Sequence, residues 1–184
     1  MGSYTKLKVR CSNRDMIMRT ISYLAVCVLL LSNPVAADEL PRPLGTVILT
    51  LTGQLTLGNS HNGVELDMAL LQALPTHRIE TETPWTEGKV AYLGVLLSDL
   101  LRWAGGEDAR KVKLVALNNY SATVPIQEIR SYPVLVAFKA DGKMMRVRDK
   151  GPIWVIYPLS DYPELDTPKI HSHMVWQLRH IEVR

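Results

Sequence analysis

The segment Glu80–Gly88 ("ETETPWTEG") contains the most distinctive group of aromatic and polar side chains in the sequence. It places one indole, Trp85, between the hydroxyl groups of Thr83 and Thr86. An indole offers a flat apolar face for stacking, and hydroxyl groups both donate and accept hydrogen bonds. The segment has no Cys, no His and no carboxylate paired with a base, so it favours binding of a flat ligand over catalysis.

The rest of the sequence does not assemble a recognisable catalytic or metal site. None of the serines lies in a nucleophile-elbow motif, and no His belongs to a recognisable catalytic signature. His171 and His173 could share one face of a strand and supply two metal ligands, but a third ligand is not evident. We therefore predict no catalytic residue and no metal site.

The first 37 residues have the pattern of a secretory signal peptide. Five basic residues lie within residues 1–20, the apolar run Ile21–Leu31 follows, and small residues end the segment at Ala37. We expect cleavage after Ala37, so that residues 38–184 form an exported, periplasmic domain. An uncleaved anchor helix is the alternative.

Removal of this segment changes the composition of the remaining domain. Both cysteines, Cys11 and Cys27, leave with it, so residues 38–184 have no disulfide and no thiolate ligand for a metal. Five basic residues and one acidic residue also leave, and the formal net charge falls from +3 to about −1. A charge near zero gives no support for nucleic-acid binding.

Residues 38–184 predict short strands joined by a few short helices. Alternating apolar and polar residues predict strands over Thr46–Leu57 and Val175–Val183, and the apolar run Pro133–Lys139 predicts a buried strand. Apolar residues at spacings of three and four predict helices over Leu66–Leu74 and Val95–Ala104. We therefore expect one mixed α+β domain, a sandwich or barrel of sheets with helices at one edge.

The order of these segments resembles the molybdopterin-binding domain of the sulfite oxidase family. The resemblance covers about residues 45–183 and rests on "LTLTGQL", "LLQALP", "YLGVLLSDLLRWAG", "VALNNYSATVPI" and "VAFKADGKMMRVRDKGPIWVIYP" in this order. It implies the fold of that family, an α+β single domain with mixed sheets and a few short helices. It also implies a site for a pterin.

Two positions depart from the pattern of the catalytic members of that family. In those members a Cys thiolate binds molybdenum, and the nearest match here is Thr83, whose neutral hydroxyl is a poor substitute for a soft thiolate. An Arg that helps hold the cofactor is replaced by Trp154, which cannot bind a phosphate in a bidentate way. The resemblance therefore implies a bare, non-phosphorylated pterin without molybdenum.

A pterin ring needs a stacking face and groups that read its polar edge. Trp85 and Trp154 could supply faces, Asp149 could accept N–H groups with Arg148 as its ion-pair partner, and amides and hydroxyls could read the rest. The alternatives are core packing for Trp154 and a solvated charge cluster around Asp149. The candidate ligand-binding residues are Thr83, Trp85, Thr86, Asn118, Asn119, Tyr120, Arg148, Asp149, Lys150, Trp154 and Tyr157.

The segments "TPW" and "RDKGPIWVIYPL" are similar to those of small exported proteins of this fold that bind reduced pterins. The resemblance implies a periplasmic, non-enzymatic pterin sensor that docks on the periplasmic domain of an inner-membrane cyclic di-GMP enzyme, a diguanylate cyclase/phosphodiesterase. Two alternatives remain open. They are a small molybdopterin-dependent oxidoreductase and an accessory ligand-binding protein of a membrane sensor kinase.

Overall fold

The first sheet is built on short segments in which buried and solvent-facing residues alternate. The computed structural model describes residues 40–184, and the predicted signal segment 1–37 lies outside the described residues. Leu49 and Leu51 point into the core while Thr50 points outward, as the two-residue period of a strand requires. The strands of this sheet are β1 (Leu49–Gly53), β2 (Val64–Leu66), β5 (Lys111–Ala116), β6 (Ser121–Pro125) and β10 (Leu178–Val183).

The pairing of this sheet joins distant parts of the chain. Its order is β2-β1-β10-β5-β6, and β1 pairs with β10 in parallel while the other neighbours are antiparallel. The last strand therefore lies in the middle of the sheet, between the first strand and β5. This central position places the segment just before β10 next to the turn between β5 and β6.

The second sheet contains strands that are buried over continuous runs of residues. Its order is β3-β4-β7-β8, and β9 also pairs with β7. In β7 the four residues Leu135 to Phe138 are all buried, which explains why that segment reads as a continuous apolar run. The strands of this sheet are β3 (Thr76–Thr81), β4 (Val90–Leu96), β7 (Leu135–Ala140), β8 (Lys143–Met144) and β9 (Trp154–Ile156).

Gly94 permits the close approach of β4 to β7. A Cβ atom at this position would lie 2.2 Å from the carbonyl oxygen of Val136 and 2.6 Å from the Cα of Ala137. The pairing register of the two strands shifts between Leu93 and Gly94. A β-bulge with glycine at the contact is the usual way to bring two backbones this close.

Four short helices connect the strands. Their bounds are α1 (Met68–Ala73), α2 (Leu97–Trp103), α3 (Ile126–Ser131) and α4 (Pro168–His173), and two 3₁₀ turns cover Val147–Asp149 and Pro163–Leu165. Helix α4 begins with Thr167, whose hydroxyl accepts a hydrogen bond from the Ile170 amide at 3.4 Å, followed by Pro168 at the first helical position. Helix α2 ends at Trp103, and the chain then turns at Gly105, which has a φ of +68°.

The expected fold class is confirmed, and several local expectations need correction. His171 and His173 lie in α4 and not on one face of a strand, because a Thr–Pro helix start precedes them. The closing strand begins at Leu178, later than Val175. Helix α3 was not predicted from the sequence at all. No helix within residues 40–184 has the length and apolar character needed to cross a membrane.

Candidate functional site

The turn Thr83–Thr86 is held by its own side chains and presents Trp85. The Thr83 amide donates to the Thr86 hydroxyl at 3.0 Å, the Thr86 amide donates to the Thr83 carbonyl at 3.1 Å, and the two hydroxyl oxygens lie 3.1 Å apart. Thr83 is buried, whereas Trp85 is 37% exposed. The two hydroxyl groups therefore shape the turn, and the indole is the group offered to solvent or to a ligand.

Trp85 belongs to a cluster of three indoles that come from three separate segments. Its ring centre lies 6.1 Å from that of Trp154 and 5.2 Å from that of Trp176, with tilted or edge-on geometry. Trp154 is only 3% exposed, and its Nε1–H donates to the Met174 carbonyl at 3.0 Å. Trp154 also forms an isolated antiparallel bridge with Trp176. Trp154 therefore supports the cluster from behind, and the more exposed indoles form its surface.

A cavity of about 270 Å³ lies against this cluster. Aromatic and apolar side chains make up most of its wall, and an amide, an imidazole and a hydroxyl group add a few polar positions. This composition is typical of small-molecule sites, and the volume lies just below the usual range for drug-sized ligands. The residues that line it are Trp85, Asn118, Tyr120, His171, Ser172, Met174, Val175 and Trp176.

The turn between β5 and β6 supplies one side of the cavity. The Asn118 side-chain oxygen accepts a hydrogen bond from the Tyr120 amide at 3.0 Å, and the Tyr120 hydroxyl donates to the Ser172 carbonyl at 2.8 Å. Asn119 takes the left-handed position of the turn with φ +67°, and its side-chain oxygen accepts from Arg179 at 2.8 Å. Asn118 and Tyr120 thus line the cavity, while Asn119 shapes the turn.

The end of helix α4 supplies another part of the cavity wall. His171 Nε2 lies 2.7 Å from an Asp166 carboxylate oxygen, and the imidazole stands edge-on to Trp85 with ring centres 6.1 Å apart. The cavity residues His171, Met174 and Trp176 were not among the predicted ligand contacts. From the sequence, His171 and His173 were predicted only as possible ligands of a metal. No local pattern links positions 171–176 to a loop more than 80 residues earlier.

The charged segment Arg146–Lys150 lies outside the cavity wall. Asp149 is exposed and pairs with Arg146 Nε at 2.7 Å, while Arg148 Nε is 3.9 Å away, so Arg146 and not Arg148 is its main partner. This arrangement fits the alternative of a solvated charge cluster. The ammonium group of Lys150 lies 5.5 Å from the centre of the Trp154 ring, a distance at which a cation–π contact is favourable.

Tyr157 is completely buried and takes part in a different polar cluster. Its hydroxyl donates to Glu128 at 2.6 Å, and His173 Nδ1 lies 2.8 Å from the same carboxylate oxygen. Burial and the adjacent Glu128 raise the pKa of Tyr157 far above its usual value. Burial acts to raise the pKa of Glu128, but hydrogen bonds with His173 and Tyr157 outweigh it, and the pKa is lowered. This cluster joins α3 to the end of α4 and does not reach the cavity.

A second and larger concave surface, about 640 Å³, crosses the outer face of the first sheet. It includes Thr50, Thr52 and His180 from β1 and β10, and within residues 40–184 no Trp, Tyr or Phe side chain lines it. A flat heterocycle would therefore find no indole or phenol face there. The smaller cavity beside the three indoles is therefore the better candidate for the ligand site.

The chain belongs to the oxidoreductase molybdopterin-binding domain family, whose model matches residues 54–160. The domain also resembles the crystal structure of the sulfane dehydrogenase SoxCD from Paracoccus pantotrophus, with a TM-score of 0.53 and 18% sequence identity. The similarity covers 73% of this chain and 37% of that chain. Because the sequence identity is this low, the similarity supports the fold alone. No curated protein matches this sequence significantly. The family and fold expected from the sequence are thus confirmed.

Proposed function

We propose that this domain is a non-enzymatic, periplasmic pterin-binding protein that reports pterin occupancy to an inner-membrane enzyme of cyclic di-GMP turnover. The observation that carries the proposal is the cavity between Trp85, Tyr120 and Trp176, in a domain that belongs to a molybdopterin-binding family. Its aromatic walls suit a flat ring. Its amide and imidazole suit the polar edge of that ring.

The residues present suit the pterin ring better than a complete molybdenum cofactor. No Lys or Arg is among the cavity-lining residues of the described region, so a phosphate group would lack the cation that it needs there. The Thr83 hydroxyl, the nearest match to the metal-binding Cys of the catalytic members, is occupied by contacts with Thr86 and with the Trp85 amide. A neutral hydroxyl in these contacts is poorly suited to bind a high-valent metal.

The regulatory part of the proposal rests on the position of helix α4. Its last turn carries His171 at the cavity and His173 in the buried contact with Glu128 of α3. A ligand that contacts His171 therefore acts on a helix that is also anchored in the core. A ligand can change how the domain binds its partner only when it binds two conformations of the domain with different affinity. Because part of the cavity wall lies on helix α4, a shift of this helix would change the affinity for the ligand.

The proposed partner rests on the sequence resemblance, and the proposed periplasmic location rests on the signal-peptide pattern. The exposed side chains of Trp85 and Tyr120, 37% and 47% accessible, lie at the cavity, where a docked partner would contact ligand and protein together. Large exposed aromatic side chains are common at the centres of protein interfaces.

The first experiment is the purification of the exported protein, followed by elemental analysis and mass spectrometry of any bound small molecule. The proposal predicts a pterin and no stoichiometric molybdenum. Molybdenum at one atom per chain would favour the oxidoreductase and refute the sensor. The partner is then identified by capturing membrane proteins on the purified domain from solubilised membranes, with and without ligand. Capture of a sensor kinase in place of a cyclic di-GMP enzyme would show that the proposed partner is wrong.

A further inference from the structure

The polar groups of the cavity are committed to particular hydrogen-bonding roles before any ligand enters. The first is His171, whose Nε2 lies 2.7 Å from Asp166. A neutral imidazole carries hydrogen on one nitrogen only, and a carboxylate can only accept. In the neutral form, the hydrogen must lie on Nε2 to meet the Asp166 carboxylate, which leaves Nδ1 as a lone-pair acceptor. Within residues 40–184 no hydrogen bond to Nδ1 is found, and the ring lines the cavity.

The second committed group is the Asn118 amide. The Tyr120 backbone N–H is a donor, so the side-chain atom 3.0 Å from it must be the Asn118 oxygen. The amide NH₂ of Asn118 is then the part left for a ligand, and it can only donate. The cavity wall therefore presents a donor at Asn118 and an acceptor at His171.

The third feature is the absence of cationic side chains from the cavity wall described above. The Tyr120 hydroxyl already donates to the Ser172 carbonyl at 2.8 Å, and the Ser172 hydroxyl donates to the Lys169 carbonyl at 2.6 Å. Neither hydroxyl hydrogen is free for a ligand oxygen. What remains for a ligand is an amide donor at Asn118, an acceptor at His171, the acceptor lone pairs of the two hydroxyl oxygens, and the aromatic faces of the wall.

We infer that His171, held by Asp166, is a ligand-binding residue that selects a flat heterocycle with an N–H or NH₂ group, while Asn118 reads a ring carbonyl of the same ligand. The selected class is an uncharged bicyclic ring with an amide-like edge, such as a 2-amino-4-oxo pyrimidine fused to a second ring. This inference deepens the proposed pterin function and rests on it. It assigns specificity to His171 and a positioning role to Asp166.

The test measures calorimetric affinity for dihydrobiopterin and for an analogue in which the exocyclic amine is dimethylated and the adjacent ring nitrogen is methylated, so that this edge of the ring cannot donate. In H171F the acceptor is lost, and affinity for dihydrobiopterin should fall by about 10-fold, the usual effect of one hydrogen bond. The methylated analogue should bind the unsubstituted protein weakly and show no further loss in H171F. His171→Asn, whose side-chain oxygen lies near the position of Nδ1, should retain most of the affinity.

Asp166→Asn tests the positioning role without touching the ligand. An Asn at this position can donate to Nε2 and move the ring hydrogen to Nδ1, so dihydrobiopterin should bind several-fold more weakly. Nitrogen-15 NMR of the His171 ring should show an unprotonated Nδ1 in the unsubstituted protein and a protonated Nδ1 in D166N. A change in ring protonation is a readout that a merely structural role would not move.

The matched control is His77→Phe. His77 also pairs with an aspartate, Asp99, at 3.5 Å, but this pair lies away from the cavity. H77F should leave both affinities unchanged. Equal binding of the two ligands by the unsubstituted protein, unchanged affinity in H171F, or a ring protonated on Nδ1 in the unsubstituted protein would overturn the inference. Failure of the unsubstituted protein to bind any pterin would overturn the proposed function itself.

Discussion

Replacement of Trp85 by alanine is the sharpest test of where the ligand binds. Trp85 is 37% exposed and its neighbours include two further indoles, so its side chain borders both the core and the cavity. Stacking of a nucleobase on an aromatic side chain is worth about 1–3 kcal/mol by alanine substitution, and a pterin is a flat ring of similar kind. W85A should therefore weaken dihydrobiopterin binding by about 5- to 150-fold.

The same substitution should destabilise the fold less than the loss of a fully buried Trp does. Truncation of a fully buried Trp destabilises a domain by about 3–5 kcal/mol, and a side chain that is one-third exposed should cost roughly half as much. Trp154 offers the contrast, because it is 3% exposed and W154A should show the full loss of stability. Trp103 of α2, only partly buried and packed against the core, provides a matched control with unchanged affinity.

Titration calorimetry measures the affinity, and denaturant unfolding measures stability in the same preparations. A folded W85A variant that binds dihydrobiopterin as tightly as the unsubstituted protein would show that Trp85 does not contact the ligand. The prediction also fails if W103A weakens binding as much as W85A does, because the effect would then reflect general loosening and not contact with the ligand.

Three further predictions concern the elements that support the site. Folding lowers the pKa of Glu128, so the stability that its ionised carboxylate contributes should be present above the unfolded value of 4.5 and lost as pH falls through the folded value. Unfolding midpoints measured between pH 3 and 7 should therefore fall at the acidic end. The E128Q variant should show a smaller fall. Thr167→Ala removes the N-cap of α4 and should lower the free energy of unfolding by about 0.5–2 kcal/mol, measured in urea, with weaker ligand binding because the same helix carries His171. Gly94→Ala should prevent native folding or greatly lower the thermal midpoint, because a Cβ atom has no room beside Val136, and a normal thermal melt would contradict the close approach of the two strands.

Local signals in the sequence were sufficient for most elements. The alternation around Leu51 and the apolar run of β7 identified strands, and the glycine after α2 identified a helix end, because each depends on a few neighbouring residues. The start of α4 was also present locally, as Thr167 followed by Pro168. The spacing of the two histidines also fits one face of a strand, but the Thr–Pro start favours a helix.

The cavity could not be predicted in the same way. Trp85 and Tyr120 were proposed from their local surroundings, and the structure places both at the cavity. Asp149 and Trp154 had equally suitable chemistry and lie close to each other in the sequence. Asp149 is nonetheless directed to Arg146 at the surface, and the pairing of Trp154 with Ala137 places it in the core.

The sequence by itself determined the fold family, the predominance of strands and the absence of cysteine from residues 38–184. These properties depend on residue identity and on short-range periodicity. Only the tertiary structure decided which indoles are accessible and that His171 and Trp176 face Trp85. The reason is physical. Strand β10 inserts between β1 and β5, and this pairing of distant segments brings the residues before it to the β5–β6 turn, a contact that no local pattern encodes.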